Sequence, residues 1–301
     1  MRFGFAVPAY GAGADGPAIA ELLAAGDELG FESAWWPDHI AIPDYARHVN
    51  LSPPFLEPLA ACAWGMGATT HLRMGTDVLV APYRPPLLVA AMAGTLGLLG
   101  GDRLILGVGI GYLRGEFEVL GLPYGRRAAA TEQWLREVRE EPAGFTVIGA
   151  GSTPPIWVGG NNRHAERRAA LLGDGWHPLW LPPEDYRAAR NRIEAMRRNA
   201  GRGGPFTFSF SAGFTQLLDA EPEHWPDPPP VATPGSEFAY APAPWIQAGG
   251  RPGLVGTPEH VVADLRALED AGVEQVTVRF GSTDPRHLER FAREVMAALS
   301  P

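Results

Sequence analysis

Segments that read as strands alternate with segments that read as helices along the whole chain, and they do so eight times. The strand-like stretches are Arg2–Val7, Ser33–Trp36, Leu72–Val80, Arg103–Val108, Pro155–Val158, Gly175–His177, Phe206–Phe214 and Val273–Arg279. Each is short, apolar and closed by Gly or Pro or by a polar turn. Helical patterns follow them over Pro17–Leu29, Leu56–Ala68, Pro86–Leu99, Arg126–Glu140, Asn162–Leu172, Pro183–Ala200, Thr257–Ala271 and Pro285–Leu299. Pro17 and Pro86 fall in first turns, Gly30 and Gly100 after last ones, and Thr257 stands where a cap belongs. Strands linked by helices run parallel, so the sheet is either open and doubly wound or closed into a barrel. Eight units in 301 residues favour a (β/α)₈ barrel, one domain over residues 1–301. In such a barrel the chemistry belongs at the C-terminal ends of the strands.

Composition narrows that chemistry. All 25 basic residues are Arg. With no Lys, a Schiff-base mechanism and a Lys-bearing phosphate loop are both excluded. Cys62 is the only cysteine, which excludes intrachain disulfides and metal sites built from several thiolates. No two histidines have zinc-protease spacing, and no metal is expected. A net charge of −9 argues against nucleic acid as a partner. The apolar run Leu87–Leu99 is too short to span a bilayer and reads as a buried helix. The first residues read as a strand rather than a leader, so the expected setting is the cytoplasm, without a membrane partner.

Three glycine clusters follow strands. Gly11, Gly13 and Gly16 have the spacing of a dinucleotide fingerprint, with Asp38 further on. Asp15 stands where a pyrophosphate belongs and Pro17 moves the helix start past the glycines, so a plain loop is the better reading. Gly107, Gly109 and Gly111 end the fourth strand, where they let a ligand approach the backbone or simply make a tight turn. Gly159, Gly160 and Asn161 lead into a helix, an anion site in the making, with Arg163, Arg167 and Arg168 close behind. The stretch Leu218–Gly256 is dense in Pro and Gly, and its length between a strand and a helix reads as a lid over the mouth.

Gly30–His39 (GFESAWWPDH) resembles the bacterial luciferase-like superfamily, and in particular its coenzyme F420-dependent, deazaflavin-using branch. The similarity runs on through residues 72–80 (LRMGTDVLV), 101–117 (GDRLILGVGIGYLRGEF), 155–161 (PIWVGGN), 172–178 (LGDGWHP) and 256–259 (GTPE). The resemblance implies a (β/α)₈ barrel and a hydride-transferring oxidoreductase with coenzyme F420, or an FMN-dependent monooxygenase. It implies that His39 and Asp38 are catalytic and lie beside the ring. It implies a cis peptide at Asp77–Val78, with Thr76, Asp77 and Val78 forming a bulge against the ring. Gly107, Gly109, Gly111, Gly159, Gly160 and Asn161 would hold the remainder of the cofactor. Trp36, Glu116, Trp176 and His177 would face a small organic substrate. A homodimer is expected too, with a flavin or F420 reductase as a source of reduced cofactor. The chain departs from the family at Asp77, where a small residue is usual, and at Pro85, Ala91 and Gly97. A non-catalytic barrel or partner subunit is therefore the reading from another class.

Overall fold

The computed structural model describes residues 1–44, 53–140, 143, 153–221 and 253–299. Its strands are β1 (Arg2–Ala6), β2 (Ser33–Trp36), β3 (Arg73–Thr76), β4 (Leu79–Val80), β5 (Leu104–Gly109), β6 (Ile156–Gly159), β7 (Gly175–His177), β8 (Thr207–Ser211), β9 (Thr215–Leu217), β10 (Leu254–Gly256) and β11 (Gln275–Val278). Every pairing between them is parallel. β1 lies between β2, with Gly4 opposite Ser33, and β11, with Gly4 opposite Thr277. β3 pairs with β5 as well as β2, and the order β11, β8, β7, β6, β5 completes the circle. With β3 and β4 as two halves of one strand, this is a closed eight-stranded barrel, as the alternation predicts.

Helices surround it: α1 (Gly16–Glu28), α2 (Pro58–Ala68), α3 (Pro86–Gly100), α4 (Arg114–Val119), α5 (Arg127–Glu137), α6 (Arg163–Leu172), α7 (Pro183–Asn199), α8 (Pro258–Asp270), α9 (Arg286–Phe291) and α10 (Ala297–Leu299). Their ends follow from local chemistry. The Glu57 carboxylate accepts from Ala60 N at 2.7 Å to cap α2, and Asn162 Oδ1 accepts from Ala165 N at 2.9 Å to cap α6. Gly101, at φ +69°, closes α3 in a left-handed conformation.

Alternation along the strands sorts side chains into two cores. Phe3, Phe5, Ala34 and Trp36 point outward and join the large apolar layer under the helices. Trp35, Ile105 and Trp157 form a second cluster inside the barrel. Neighbouring strands make room with glycine: a Cβ on Gly75 would lie 2.4 Å from the Trp35 ring, and one on Gly175 would lie 2.5 Å from Trp157.

Five features differ from expectation. The third strand is broken by a cis peptide at Asp77–Val78, the one that the family resemblance implies. The stretch Phe206–Phe214 is not one strand: β8 ends at Ser211, and after a turn β9 pairs with β10 in a small separate sheet. α4 is an extra helix after the fourth barrel strand, and the last helix is interrupted by a π turn over Ala292–Met296. Thr257 occupies the cap position of α8 without a side-chain cap bond. Most of Leu218–Gly256 lies outside the described residues. No described helix is long and apolar enough to cross a membrane.

Candidate active site

The residues after β2, Pro37 to Ile40, leave the sheet at the C-terminal end of the barrel, as do those after β3, β5, β7 and β11. Two polar clusters form there. The first is built around His39. Its Nδ1 lies 3.0 Å from Glu116 Oε2, and its Nε2 lies 3.3 Å from the Tyr112 hydroxyl. Phe55 and Tyr112 pack edge-on against the ring, at 5.1 and 5.7 Å. Glu116, in the first turn of α4, is fully buried. Its Oε1 accepts from Ile40 N at 2.5 Å and from Ala41 N at 3.0 Å, and its Oε2 also accepts from the Tyr83 hydroxyl at 2.8 Å. Burial alone raises the pKa of such a carboxyl, but the bond to His39, its charge and the two backbone N–H groups outweigh burial and hold it below the usual range. Glu116 is thus an ionised acceptor, so the proton on Nδ1 belongs to the shared bond. Nε2 is left facing the Tyr112 hydroxyl. Burial and the same carboxylate push the Tyr83 hydroxyl well above its ordinary pKa, so it stays a donor.

The second cluster crosses the barrel. Asp77, at the cis peptide, extends from the third barrel strand to the sixth, seventh and eighth. Its Oδ1 lies 3.2 Å from His177 Nε2. Its Oδ2 accepts from Arg279 Nη2 at 2.6 Å and from Ser211 Oγ at 3.3 Å. Burial pushes its pKa up, but the His177 hydrogen bond and charge, Arg279 and Ser211 outweigh that and hold it at about 2. His177 is anchored in turn: Nδ1 lies 2.7 Å from Ser209 Oγ, and the ring stacks on Trp35 at 4.6 Å.

Several expected site residues have other work. Asp38 is not exposed beside the mouth. Its carboxylate is buried and held at both oxygens by Arg84, at 2.7 and 2.8 Å, and it also accepts from Val80 N at 2.8 Å. Arg84 reaches on to Glu57 at 2.8 Å. Burial disfavours its charge, but Asp38 and Glu57 outweigh burial and keep it a cation. Asp38 therefore fixes the chain beside His39 rather than handling protons. Glu116, expected toward substrate, has both oxygens engaged by protein donors. Trp36 is in the outer core, a position β-strand alternation forces on the neighbour of an inward Trp35. Trp176 is buried too, its Nε1 donating to Gly160 O at 2.9 Å. Thr76 is buried with its hydroxyl on Gly107 O at 2.7 Å. Gly107 and Gly109 accommodate protein, not ligand: a Cβ would lie 1.9 Å from Thr76 O in one case and 2.5 Å from Val78 in the other. Val78 also touches the place a Cβ of Gly159 would take, and Gly111 is backed by Val80 and Phe117. The Asn161 side chain clamps the backbone at Leu179 and Trp180.

Of the cationic trio, Arg168 is buried and leans toward Glu132 on α5, Arg167 is exposed 3.8 Å from the same carboxylate, and Arg163 is 68 % exposed at the first turn of α6, 3.8 Å from Glu166. The apparent fingerprint at Gly11–Gly16 is a 3₁₀ turn followed by α1, which starts at Gly16 itself, one residue earlier than Pro17 suggests. Tyr83, Arg84, Tyr112, Ser211 and Arg279 were not singled out in the sequence. Arg279 and Tyr112 carry one legible signal, their place just after a barrel strand. No group of three or more metal-ligating side chains occurs among the described residues.

Comparison with known proteins bears on this arrangement. The sequence profile of the family described as luciferase-like monooxygenase matches residues 1–225. An uncharacterized protein of Mycobacterium tuberculosis is 32 % identical over 211 residues, 62 % of this chain and 73 % of that one. A phthiodiolone/phenolphthiodiolone dimycocerosates ketoreductase of Mycobacterium bovis is 27 % identical over 213 residues, 60 % of this chain and 56 % of its own. An F420-dependent secondary alcohol dehydrogenase, solved with an F420–acetone adduct, superposes with a TM-score of 0.73 at 16 % identity, covering 99 % of this chain and 98 % of that one.

Proposed function

The chain belongs to the luciferase-like monooxygenase family, a family of oxidoreductases, and we propose that it binds coenzyme F420 at the barrel mouth and exchanges a hydride with a small organic alcohol or carbonyl compound. One observation carries this reading: His39 is held at Nδ1 by an ionised, buried carboxylate, with Nε2 turned to a tyrosine hydroxyl at the C-terminal end of the barrel. That is the arrangement a proton-handling histidine requires. The sequence similarity to a ketoreductase supports the same class of substrate.

The residues present fit such a cofactor. With Ala165 N taken by the Asn162 cap, the first turn of α6 offers the N–H groups of Arg163 and His164, which no carbonyl of the helix can reach, and the exposed Arg163 side chain lies beside them, 3.8 Å from Glu166. Gly160, at φ +114°, lets the chain turn into that helix with only Ala165 near. These groups would hold an anionic part of the cofactor, and the Asp77–Val78 bulge would back its ring. When bound, the deazaflavin supplies the hydride chemistry. The protein then does the remainder: Nε2 of His39 gives or takes the substrate hydroxyl proton, Glu116 keeps the imidazole in register, and Phe55 and Tyr112 restrict water.

FMN-dependent monooxygenation is the second reading, favoured by the family's own description. Fluorescence titration with F420 and with FMN separates the two. Tighter binding of F420 is expected, and tighter FMN binding would reverse the choice. In the same preparation, His39→Ala should leave cofactor affinity within a few-fold and lower turnover by roughly 10²–10⁴, the usual worth of a positioned acid or base. Full activity in that variant would remove His39 from the chemistry.

A further inference from the structure

The chemistry proposed for His39 leaves the Asp77 cluster without a task, and that cluster is out of charge balance. The Ser209 hydroxyl donates to Trp176 O at 3.0 Å, so in its 2.7 Å contact with His177 Nδ1 it accepts and the ring nitrogen donates. Nε2 faces Asp77, which is ionised, and so donates as well. With both nitrogens donating, His177 is a cation, and Arg279 is a second one. Asp77 is the only carboxylate among the described residues that pairs with either, which leaves one positive charge over. His177 is buried, whereas the Arg279 side chain is 24 % exposed and is the member that a ligand reaches. Among the described residues only Nη2 of its guanidinium is bonded, to Asp77. Thr277, two residues earlier on the same inward stripe and in register with Ser211, is buried, and its hydroxyl has no partner there either.

We propose that Arg279 receives a carboxylate of the substrate, which makes the small carbonyl compound handled at His39 a short oxo acid and the matching alcohol a hydroxy acid; this rests on the oxidoreductase reading of the same mouth. Asp77 holds one edge of the guanidinium, and the N–H groups that remain are set in a fixed plane for a second planar acceptor. The backbone of Arg279 is fixed as well: its N–H donates to Thr215 Oγ1 at 3.1 Å, and its carbonyl accepts from Thr215 N at 2.8 Å. Open apolar surface adjoins both clusters. Phe214, next to Thr215, is 42 % exposed, and Ile40, next to His39, is 45 % exposed. A cation bordered by such surface suits an organic acid better than a hydrated inorganic anion. Only β1 lies between β2, which leads to His39, and β11, which leads to Arg279, so the two strand ends stand roughly 10 Å apart. Side chains reaching inward from both ends leave the span of a short carbon chain. Asp77 stands where the family usually has a small residue, so the held arginine sets this chain apart within it.

Calorimetric titration of the chain without cofactor tests the proposal. The probe is levulinate, a short oxo acid, and the control is methyl propyl ketone, which has a methyl group in place of the carboxylate. Levulinate should bind tighter by about tenfold or more, the worth of a charge-assisted hydrogen bond. Arg279→Gln should bring levulinate down to the level of the ketone and leave the ketone unchanged. Arg279→Lys, which keeps the charge without the planar fork, should restore part of the difference. A purely structural arginine would instead weaken both probes alike. Asp77→Asn keeps the cation and removes the acid that competes for it, so it should bind levulinate at least as tightly as the native chain. Equal binding of acid and ketone by the native chain, or none of the acid, overturns the proposal. An acid preference that survives Arg279→Gln, or one that vanishes in Asp77→Asn, overturns it too. Inorganic phosphate binding tighter than levulinate would replace the carboxylate by a phosphorylated compound and equally overturn it. No cofactor enters these titrations, so a failure of F420 to bind leaves their result standing, and the reverse.

Discussion

Glu116 illustrates how much one side chain determines. Four donors converge on its carboxylate, two from side chains and two from the backbone. Gln in its place turns an N–H₂ group toward at least one of those donors and loses the fixed Nδ1 proton of His39. Glu116→Gln should therefore cost much of what His39→Ala costs in turnover, and the double variant should be little worse than either single one, because the two act as a unit. A double variant whose losses multiply would show that they act separately, and steady-state rates decide it. Asp77 gives a prediction in stability. Its carboxyl binds a proton less readily in the folded chain, at about 2, than at its ordinary 3.8. Stability from this group is complete above pH 4 and is lost as pH falls toward 2, since the unfolded chain takes up the proton first. The difference is worth on the order of 2 kcal/mol. Asp77→Asn should flatten the acid limb of a urea-midpoint profile over that range, and an unchanged limb would place the acid sensitivity elsewhere.

At the scale of elements, similar glycines have opposite roles. Gly107 in β5 lies against β3 so closely that an added methyl would meet a backbone oxygen, which cannot move aside as a flexible side chain can. Gly97, in the interior of α3, has only the Asp102 carboxylate at 3.6 Å, an ordinary contact. Gly97→Ala should stabilise the chain by about 0.5–1 kcal/mol by restricting the unfolded state and favouring helix. Gly107→Ala should destabilise it by 1–3 kcal/mol or more, the cost of overpacking. Thermal melts of the two variants should move in opposite directions; a shared direction would refute the packing argument. The same contrast explains the reading of the glycine run at 107–111. In sequence it looks like a ligand turn, because composition does not reveal whether the space beside a glycine belongs to a ligand or to a neighbouring strand.

At the scale of the molecule, charge sets the terms for an anionic cofactor. A chain at −9 repels it at long range, so attraction must be local. Arg168 is buried against Glu132, while Arg163 and Arg167 are both exposed, each 3.8 Å from a carboxylate, and of the two only Arg163 stands in the first turn of α6. Arg163→Gln should weaken F420 binding several-fold at low salt and less at high salt, where exposed charges are screened. A salt-independent effect, or none, in fluorescence titration would move the anionic group away from α6. The barrel itself was legible, because eight alternations of period and eight sets of Gly and Pro boundaries all agree. His39 was legible through its motif. The hydrogen-bond partners of His39 were not: Glu116 and Tyr112 lie more than seventy residues away in sequence. Asp77 stood out as a departure, but its three partners across the barrel follow from closure, which sequence spacing does not encode. Trp36 and Trp176 were misjudged because an aromatic next to a motif carries no mark of which face of its strand it occupies.

The pairing of β9 with β10 has a consequence for how new specificities arise on this scaffold. Leu218 N donates to Gly256 O at 2.8 Å and Thr257 N donates to the Glu221 carboxylate at 2.9 Å, so the residues that flank 222–252 are held together by hydrogen bonds. With the ends of this stretch already joined in space, a change in its length is expected to act through the entropy of closing a loop. Shortening residues 222–252 to a handful of Gly and Ser changes that entropy by roughly 1 kcal/mol, since it scales with the logarithm of length. The melting temperature should move by only a few degrees, and a collapse of the fold would show that the insert is structural. Inheritance can thus treat this stretch as an exchangeable cassette: duplicated, lengthened or replaced wholesale, while the barrel beneath keeps its register.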